Sequence, residues 1–248
     1  MPEPIETLEG WYALHDFRKV HWQHWWALSE SERNRRTDSL IEWTSAWRTK
    51  NEEHQSGFGV YQILGHKADL LFLYFCPRLE DLAKTQAFFR TPEWAGLTAS
   101  SWSYLSVVEL SQYMAKGEAT DSPYLQSRLY PKVPDSTYVS FYPMSKRRQG
   151  TDNWYMLSQA DRRELMKGHG MIGHRHRSRV VQIISGSQGL DDWEWGVTLF
   201  ANDAIAFKKI VYEMRFDEST ARFGEFGRFY TGIRLEPDSL ATWFQGGK

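Results

Sequence analysis

A single cysteine, Cys76, leaves this 248-residue chain no internal disulfide. A reducing compartment suits such a chain, and the cytoplasm is the expected location. The opening MPEPIETLEGW has neither a basic cluster nor an apolar run, so no signal peptide is expected. No apolar stretch is long enough for a bilayer span, which excludes membrane insertion through a helix. Neither sign of charge dominates. Thirty Lys and Arg face 31 Asp and Glu, for a net charge of -1, and this balance argues against a general nucleic-acid binder. Walker motifs, CxxC pairs and a Ser-His-Asp order are all missing. His21 and His24 in HWQHWW have no carboxylate or cysteine beside them and make a poor metal site. His174 and His176 fall at a helix end, where cations complement the dipole and solvent explains them.

What is present is a core and a repeat. Hydrophobic residues make up 41% of the chain, enough for one large domain or two small ones. Twelve Trp and 12 Tyr serve packing and interfaces, where rings bury much area. One plan is used twice. A strand at 11–19, a polar helix from about Trp25 to Lys50, a hairpin at 60–75, a helix from Arg78 to Arg90 and a strand at 101–113 form the first copy. A strand at 138–146, a helix at 158–173, a hairpin at 180–200, a helix at 202–215 and a strand at 223–235 form the second. VYQILG matches VVQIISG, and DLLFLYF matches DWEWGVTLF. This β-α-β-β-α-β order is ferredoxin-like. The expected fold is α+β with antiparallel sheets. Residues 1–113 form an N-terminal half that builds subunit contacts, 114–137 a connector, and 138–248 the C-terminal half. At over twenty residues the Gly-, Pro- and Ser-containing connector has the length of a functional lid.

Residues 138–182 carry the chemistry. In YVSFYPMSKRR, alternation puts Tyr142, Met144 and Lys146 on one face of a strand. In LSQADRRELMKGHGMIGHRHR, Ser158 and Asp161 resemble a capping box, and Leu165, Met166 and His169 share a helical face expected to be buried. Gly168 and Gly170 flank His169, each costing about 1 kcal/mol in a helix interior, so something flat is expected to approach the backbone there. From spacing alone a solvated or hydrogen-bonded histidine at a helix end remains open. For Tyr142 a half-buried strand tyrosine with a satisfied hydroxyl is equally open, and for Lys146, Arg147 and Arg148 a solvated basic turn.

FYPMSKRR, the GHG histidine, VVQIISGSQGLDDWEWGVTLF, YEMRFDE and FGEFGRFYTGIRL, taken in this order, resemble the chlorite dismutase superfamily. More narrowly they are similar to the coproheme decarboxylases of Gram-positive bacteria. The resemblance runs through both halves and is densest from about 128 to 235. It implies a dimeric α+β barrel of two ferredoxin-like halves, assembled into a homopentamer, with the porphyrin in the C-terminal half. It also implies an activity: peroxide-dependent oxidative decarboxylation of Fe-coproporphyrin III (coproheme) to haem b, through a three-propionate intermediate. The iron porphyrin is then both substrate and redox centre, with hydrogen peroxide as oxidant. A ferrochelatase is the implied donor of the substrate.

The resemblance also assigns residues. His169 corresponds to the axial iron ligand; which group holds its other nitrogen is not legible. Tyr142 corresponds to the catalytic tyrosine, whose radical takes hydrogen from a propionate, and Lys146 to a lysine beside that propionate. Coproheme has four carboxylates. Arg128 and Arg215 match propionate contacts, and Thr220 takes the place of a serine hydroxyl. Met144 and Trp154 would line the macrocycle. Gln182 stands where chlorite-degrading relatives have a distal arginine and where actinobacterial decarboxylases have a histidine, which favours the Firmicutes-like branch. Two other readings remain open from the sequence: a haem carrier or sensor without turnover, and a chlorite dismutase or peroxidase.

Overall fold

The computed structural model describes residues 2–111 and 122–246. The expected order of elements is present twice. The first copy is β1 (Thr7–Val20), helices α1 (Trp22–Ala27) and α2 (Glu30–Glu52), β2 (Gly57–Ile63), β3 (Leu70–Cys76), α3 (Leu79–Phe88) and β4 (Thr98–Ser111). A connecting helix, α4 (Pro123–Leu129), follows. The second copy begins with β5 (Tyr138–Lys146) and a short ribbon of β6 (Arg148–Gln149) and β7 (Asp152–Asn153). It continues with α5 (Gln159–Arg175), β8 (Val181–Gly186), β9 (Trp195–Ala201), α6 (Ile205–Met214), α7 (Glu218–Phe223), β10 (Gly224–Phe226) and β11 (Tyr230–Leu235). All the registered pairings among the main strands are antiparallel, so the α+β class with antiparallel sheet holds.

Four expectations need correction. The helix from Trp25 to Lys50 is two helices. Leu28 is extended, and Ser29 opens α2 with a full capping box: its hydroxyl accepts from the Glu32 amide while the Glu32 carboxylate accepts from the Ser29 amide. The connector holds α4; its residues 114–121 lie outside the described residues, and so does any lid they form. The strand expected at 223–235 is divided into β10 and β11. Finally, α8 (Pro237–Phe244) extends beyond the last strand, with Pro at its start and Leu240 and Phe244 buried one turn apart.

Two compact units result. One takes residues 11–105, 130–133 and 232–248; the other takes 1–10, 106–129 and 134–231. A single division between residues 113 and 138 therefore does not describe them, because short segments from the far part of the chain join the first unit. In that unit the strand order is β11-β2-β3-β1-β4. Its core is aromatic. Trp25 donates to the Phe244 carbonyl at 3.0 Å, lies 4.7 Å from the Phe244 ring, and packs with buried Trp94. Full burial of such rings contributes about 1.5–3 kcal/mol each.

Asn51, buried at the end of α2, explains why residues 130–133 belong here. Its carbonyl oxygen accepts from the amides of Phe58 at 3.2 Å and Val133 at 2.8 Å, and its amide donates to the Val133 carbonyl at 3.4 Å. Removing it leaves two buried backbone donors without a partner. Asn51→Ala should therefore lower the unfolding free energy by about 2–3 kcal/mol in urea titrations. A change below about 0.5 kcal/mol, the range of an ordinary surface substitution, would contradict that role.

Candidate functional site

The site belongs to the second unit and is set out by strand register. In the β5–β9 pairing Tyr142 faces Val197; in the β8–β9 pairing Val197 faces Ile184 and Leu199 faces Gln182. Directly opposed residues share a face of the sheet. Tyr142, Val197 and Ile184 thus form one row of a floor, and Leu199 and Gln182 the next. These residues, with Met144, line a cleft whose empty space is about 500 Å³ counted to its open mouth. The opposite wall comes from α6 (Ile210, Val211, Met214) and Arg215 at its cap. His169 of α5, Thr220 of α7 and Phe226 of β10 complete the lining. The walls are mostly apolar with a few convergent polar groups, the usual character of a small-molecule site.

Ser158 caps α5, its hydroxyl accepting from the Asp161 amide at 3.2 Å, and His169 follows three turns on. The face carrying His169 is half-buried; within α5 only Arg162 is fully buried, so the buried face expected from spacing is an open cleft wall. His169 Nδ1 lies 2.9 Å from Asp217 Oδ2. A carboxylate can only accept here, so Nδ1 carries the proton and the Nε2 lone pair remains on the far edge of the ring. Asp217 is a site residue that sequence reasoning misses. A signal for it exists all the same: in DEST it is the N-cap of α7, and the same oxygen accepts from the Thr220 amide at 3.1 Å and hydroxyl at 3.2 Å. Burial pushes the Asp217 pKa up, but the hydrogen bond and charge of His169 and the bonds from Thr220 leave it lowered overall.

The flanking glycines behave differently from expectation. A Cβ on Gly168 would stand 3.6 Å from Asp217 Oδ1, and one on Gly170 would meet nothing within 4 Å. The glycine beside Gln182 is Gly173, one turn beyond His169, where a Cβ would stand in ordinary contact, 3.5 Å from Gln182 Nε2 and from Met214 Cε.

Tyr142 stacks on Phe229 at 4.4 Å between ring centres, with Phe226 at 5.8 Å. Burial raises the phenol pKa to about 12, and the charge of Arg215 only partly opposes this. The Arg215 guanidinium carbon lies over the Phe226 ring, 3.8 Å from its centre. Lys146, Arg128 and Trp154 are near but do not line the cleft. Lys146 is buried; its ammonium donates to the Ser219 hydroxyl at 2.7 Å and carbonyl at 3.0 Å, and lies 4.4 Å over Trp154. Burial lowers its pKa to about 8, against the opposing pull of Asp217 and Glu194. Trp154 packs against Phe223 behind it. Arg128 donates to the Gln182 carbonyl at 3.2 Å, and so supports the strand that presents Gln182. The histidines set aside above stay outside the cleft lining: His24 contacts the Gly96 carbonyl, and His176 lies 2.6 Å from Glu213, a partner beyond simple solvation.

Among the described residues no three His, Cys, Asp or Glu side chains converge to cage a bare metal ion. A lone imidazole with a held Nδ1 instead suits a metal that arrives in its own macrocycle. The apolar floor, the open Nε2 and the Arg215 and Gln182 donors fit an iron porphyrin bearing carboxylates.

Comparison with known proteins identifies the family. The family model described as chlorite dismutase matches residues 33–235. A protein named coproheme decarboxylase from Thermus thermophilus is 49% identical over 240 residues, covering 97% of this chain and 96% of its own. A solved structure of a heme-binding protein, also from Thermus thermophilus, superposes with a TM-score of 0.94 at 48% identity, covering 99% of both chains. A mutant chlorite dismutase from Candidatus Nitrospira defluvii shares the fold, with a TM-score of 0.77 at 20% identity over 96% of each chain. The chain belongs to the chlorite dismutase family.

Proposed function

We propose that this protein is a coproheme decarboxylase, converting Fe-coproporphyrin III to haem b with hydrogen peroxide as oxidant. The observation that carries the reading is that Tyr142 and His169 line the same cleft. Kinship with proteins named coproheme decarboxylase over nearly the whole chain supports it. Each propionate lost is a two-electron oxidation that would consume one hydrogen peroxide, reduced to two waters, with the iron of the bound substrate passing the oxidising equivalents on. At each reacting side chain, R–CH2–CH2–CO2⁻ loses one hydrogen atom, one electron and CO2, leaving R–CH=CH2.

The chain's own residues divide the work. His169 binds the iron through Nε2, and Asp217 fixes the tautomer and the ring plane. Tyr142 carries its proton at neutral pH as any phenol does, and burial pushes its pKa further up to about 12, so oxidation would remove an electron and that proton together. The resulting phenoxyl takes the hydrogen from the propionate β-carbon. Phe229 and Phe226 hold the ring, and a rigid strand is a good mount for a group that must lie in contact with its target. Arg215 holds a carboxylate, while Thr220 lines the site with its hydroxyl proton given to Asp217. Gln182 donates a neutral hydrogen bond to the oxidant. Lys146 lies on the Tyr142 face of β5, and its ammonium reaches a propionate by leaving Ser219. The three-propionate intermediate, a cytoplasmic location, a homopentamer and delivery by a ferrochelatase complete the proposal.

Tyr142→Phe should bind ferric coproheme normally yet make haem b on the order of 100-fold more slowly, a barrier increase of about 2.7 kcal/mol. Product masses after peroxide titration check this. Bleaching of the wild-type complex without loss of CO2 would instead mark a carrier. Asp217→Ala frees His169 Nδ1 and should weaken porphyrin binding roughly 10- to 100-fold, read by absorbance titration. Unchanged affinity and spectrum would remove Asp217 from the site's support. With a pKa near 8, Lys146 is charged below that pH and neutral above it, so turnover should fall as pH rises through 8. Lys146→Arg, charged throughout, should flatten that limb. A limb unchanged in the Arg variant would assign it to another group.

A further inference from the structure

One outer surface of the second unit is unusual in two independent ways. The outward side of α6 carries large apolar side chains: Ile205 is 58% exposed, Tyr212 64% and Phe216, just past the helix, 73%. Their spacing of seven and then four residues puts them in one stripe. Tyr212 and Phe216 pack edge to face at 5.2 Å. The second feature is charge. Lys208 and Lys209 are exposed within the stripe, and the end of α5 with the turn after it, HRHRSR, adds exposed Arg175, Arg177 and Arg179. The two features are one patch, because Arg175 lies 2.5 Å from Glu213 and His176 2.6 Å from the same carboxylate, next to Tyr212. Glu213 is the single acid set against those five cations on these two segments. Met171, 60% exposed on α5, adds a further apolar side chain.

Aromatic rings interleaved with lysine and arginine are the composition of a helix that lies in a membrane interface. The rings enter the headgroup boundary, and each cation near an anionic surface contributes about 1 kcal/mol. We propose that this face, built from residues 171–179 and 205–216, docks the protein on an anionic lipid surface. Two features favour a membrane over an acidic protein. The rings are each more than half exposed, and the cations are spread along two segments rather than gathered at one point. Arg215, between Glu213 and Phe216, turns the other way and lines the cleft, so the docked face adjoins the cleft wall. The proposal concerns the protein without porphyrin and does not depend on the decarboxylase reading.

The test is co-sedimentation of the purified full chain, without porphyrin, with vesicles of phosphatidylcholine alone or containing about 30% phosphatidylglycerol. Binding is expected to the anionic vesicles and not to the neutral ones, and to be stripped by about 1 M salt. Lys208→Glu with Lys209→Glu should lower the bound fraction at least about tenfold. Tyr212→Ser with Phe216→Ser should lower it several-fold, while Trp26→Ser, an exposed ring in the other unit, should leave it unchanged. Circular dichroism establishes that each variant is folded. Equal binding to neutral vesicles, no binding to either, or wild-type binding by both double variants overturns the proposal. So does retention on immobilised polyglutamate without retention on anionic vesicles, which would assign the face to an acidic macromolecule.

Discussion

The register of three antiparallel strands governs this site. Tyr142, Val197 and Ile184 form a row only because β5, β9 and β8 pair as they do. Side chains alternate along a strand, so a shift of one residue would turn the phenol out of the cleft and bring Phe141 in. Burial enforces the register. Phe141, Val139 and Phe200 are fully buried on the other face, and a slip would expose them. The packing that stabilises the sheet therefore also aims the phenol.

The opposite side depends on a very short element. Helix α7 has six residues, too few to be stable alone, and is held by what it binds. Its cap, Asp217, accepts from His169; Thr220 adds a hydroxyl 3.4 Å from the same imidazole nitrogen; Ser219 takes the Lys146 ammonium. Four consecutive residues, DEST, thus tie α5 to the end of β5. Asp217 acts on both groups, since its charge also supports protonation of Lys146 against the cost of burial. One carboxylate thus orients the imidazole and, together with Glu194, favours the charged form of Lys146.

Much of this is legible in the sequence, and the limits have physical causes. Alternation along 138–146 puts Tyr142 and Met144 on one face, and helical spacing with a capping serine places His169, because both periodicities are local. Asp217 is hidden because it pairs with a residue 48 positions earlier, and its local signature reads only as a helix cap. The same limit affects Lys146, Arg128 and Trp154: the chain order gives their neighbourhood but not whether they reach the cleft or stand one layer behind it. Gly168 and Gly170 stand out through composition, whereas Gly173 is the one facing Gln182, a matter of helix rotation fixed by tertiary packing. The final helix, PDSLATWF, has its own signals in the early proline and the Leu240–Phe244 spacing.

That final helix also orders events during synthesis. Trp25 and Trp94 find their lid in Phe244, which follows Trp25 by 219 positions. The unit that contains most of the first hundred residues cannot close its aromatic core while the chain is still emerging from the ribosome. Until residues 237–244 arrive, its indoles remain open to other apolar surfaces.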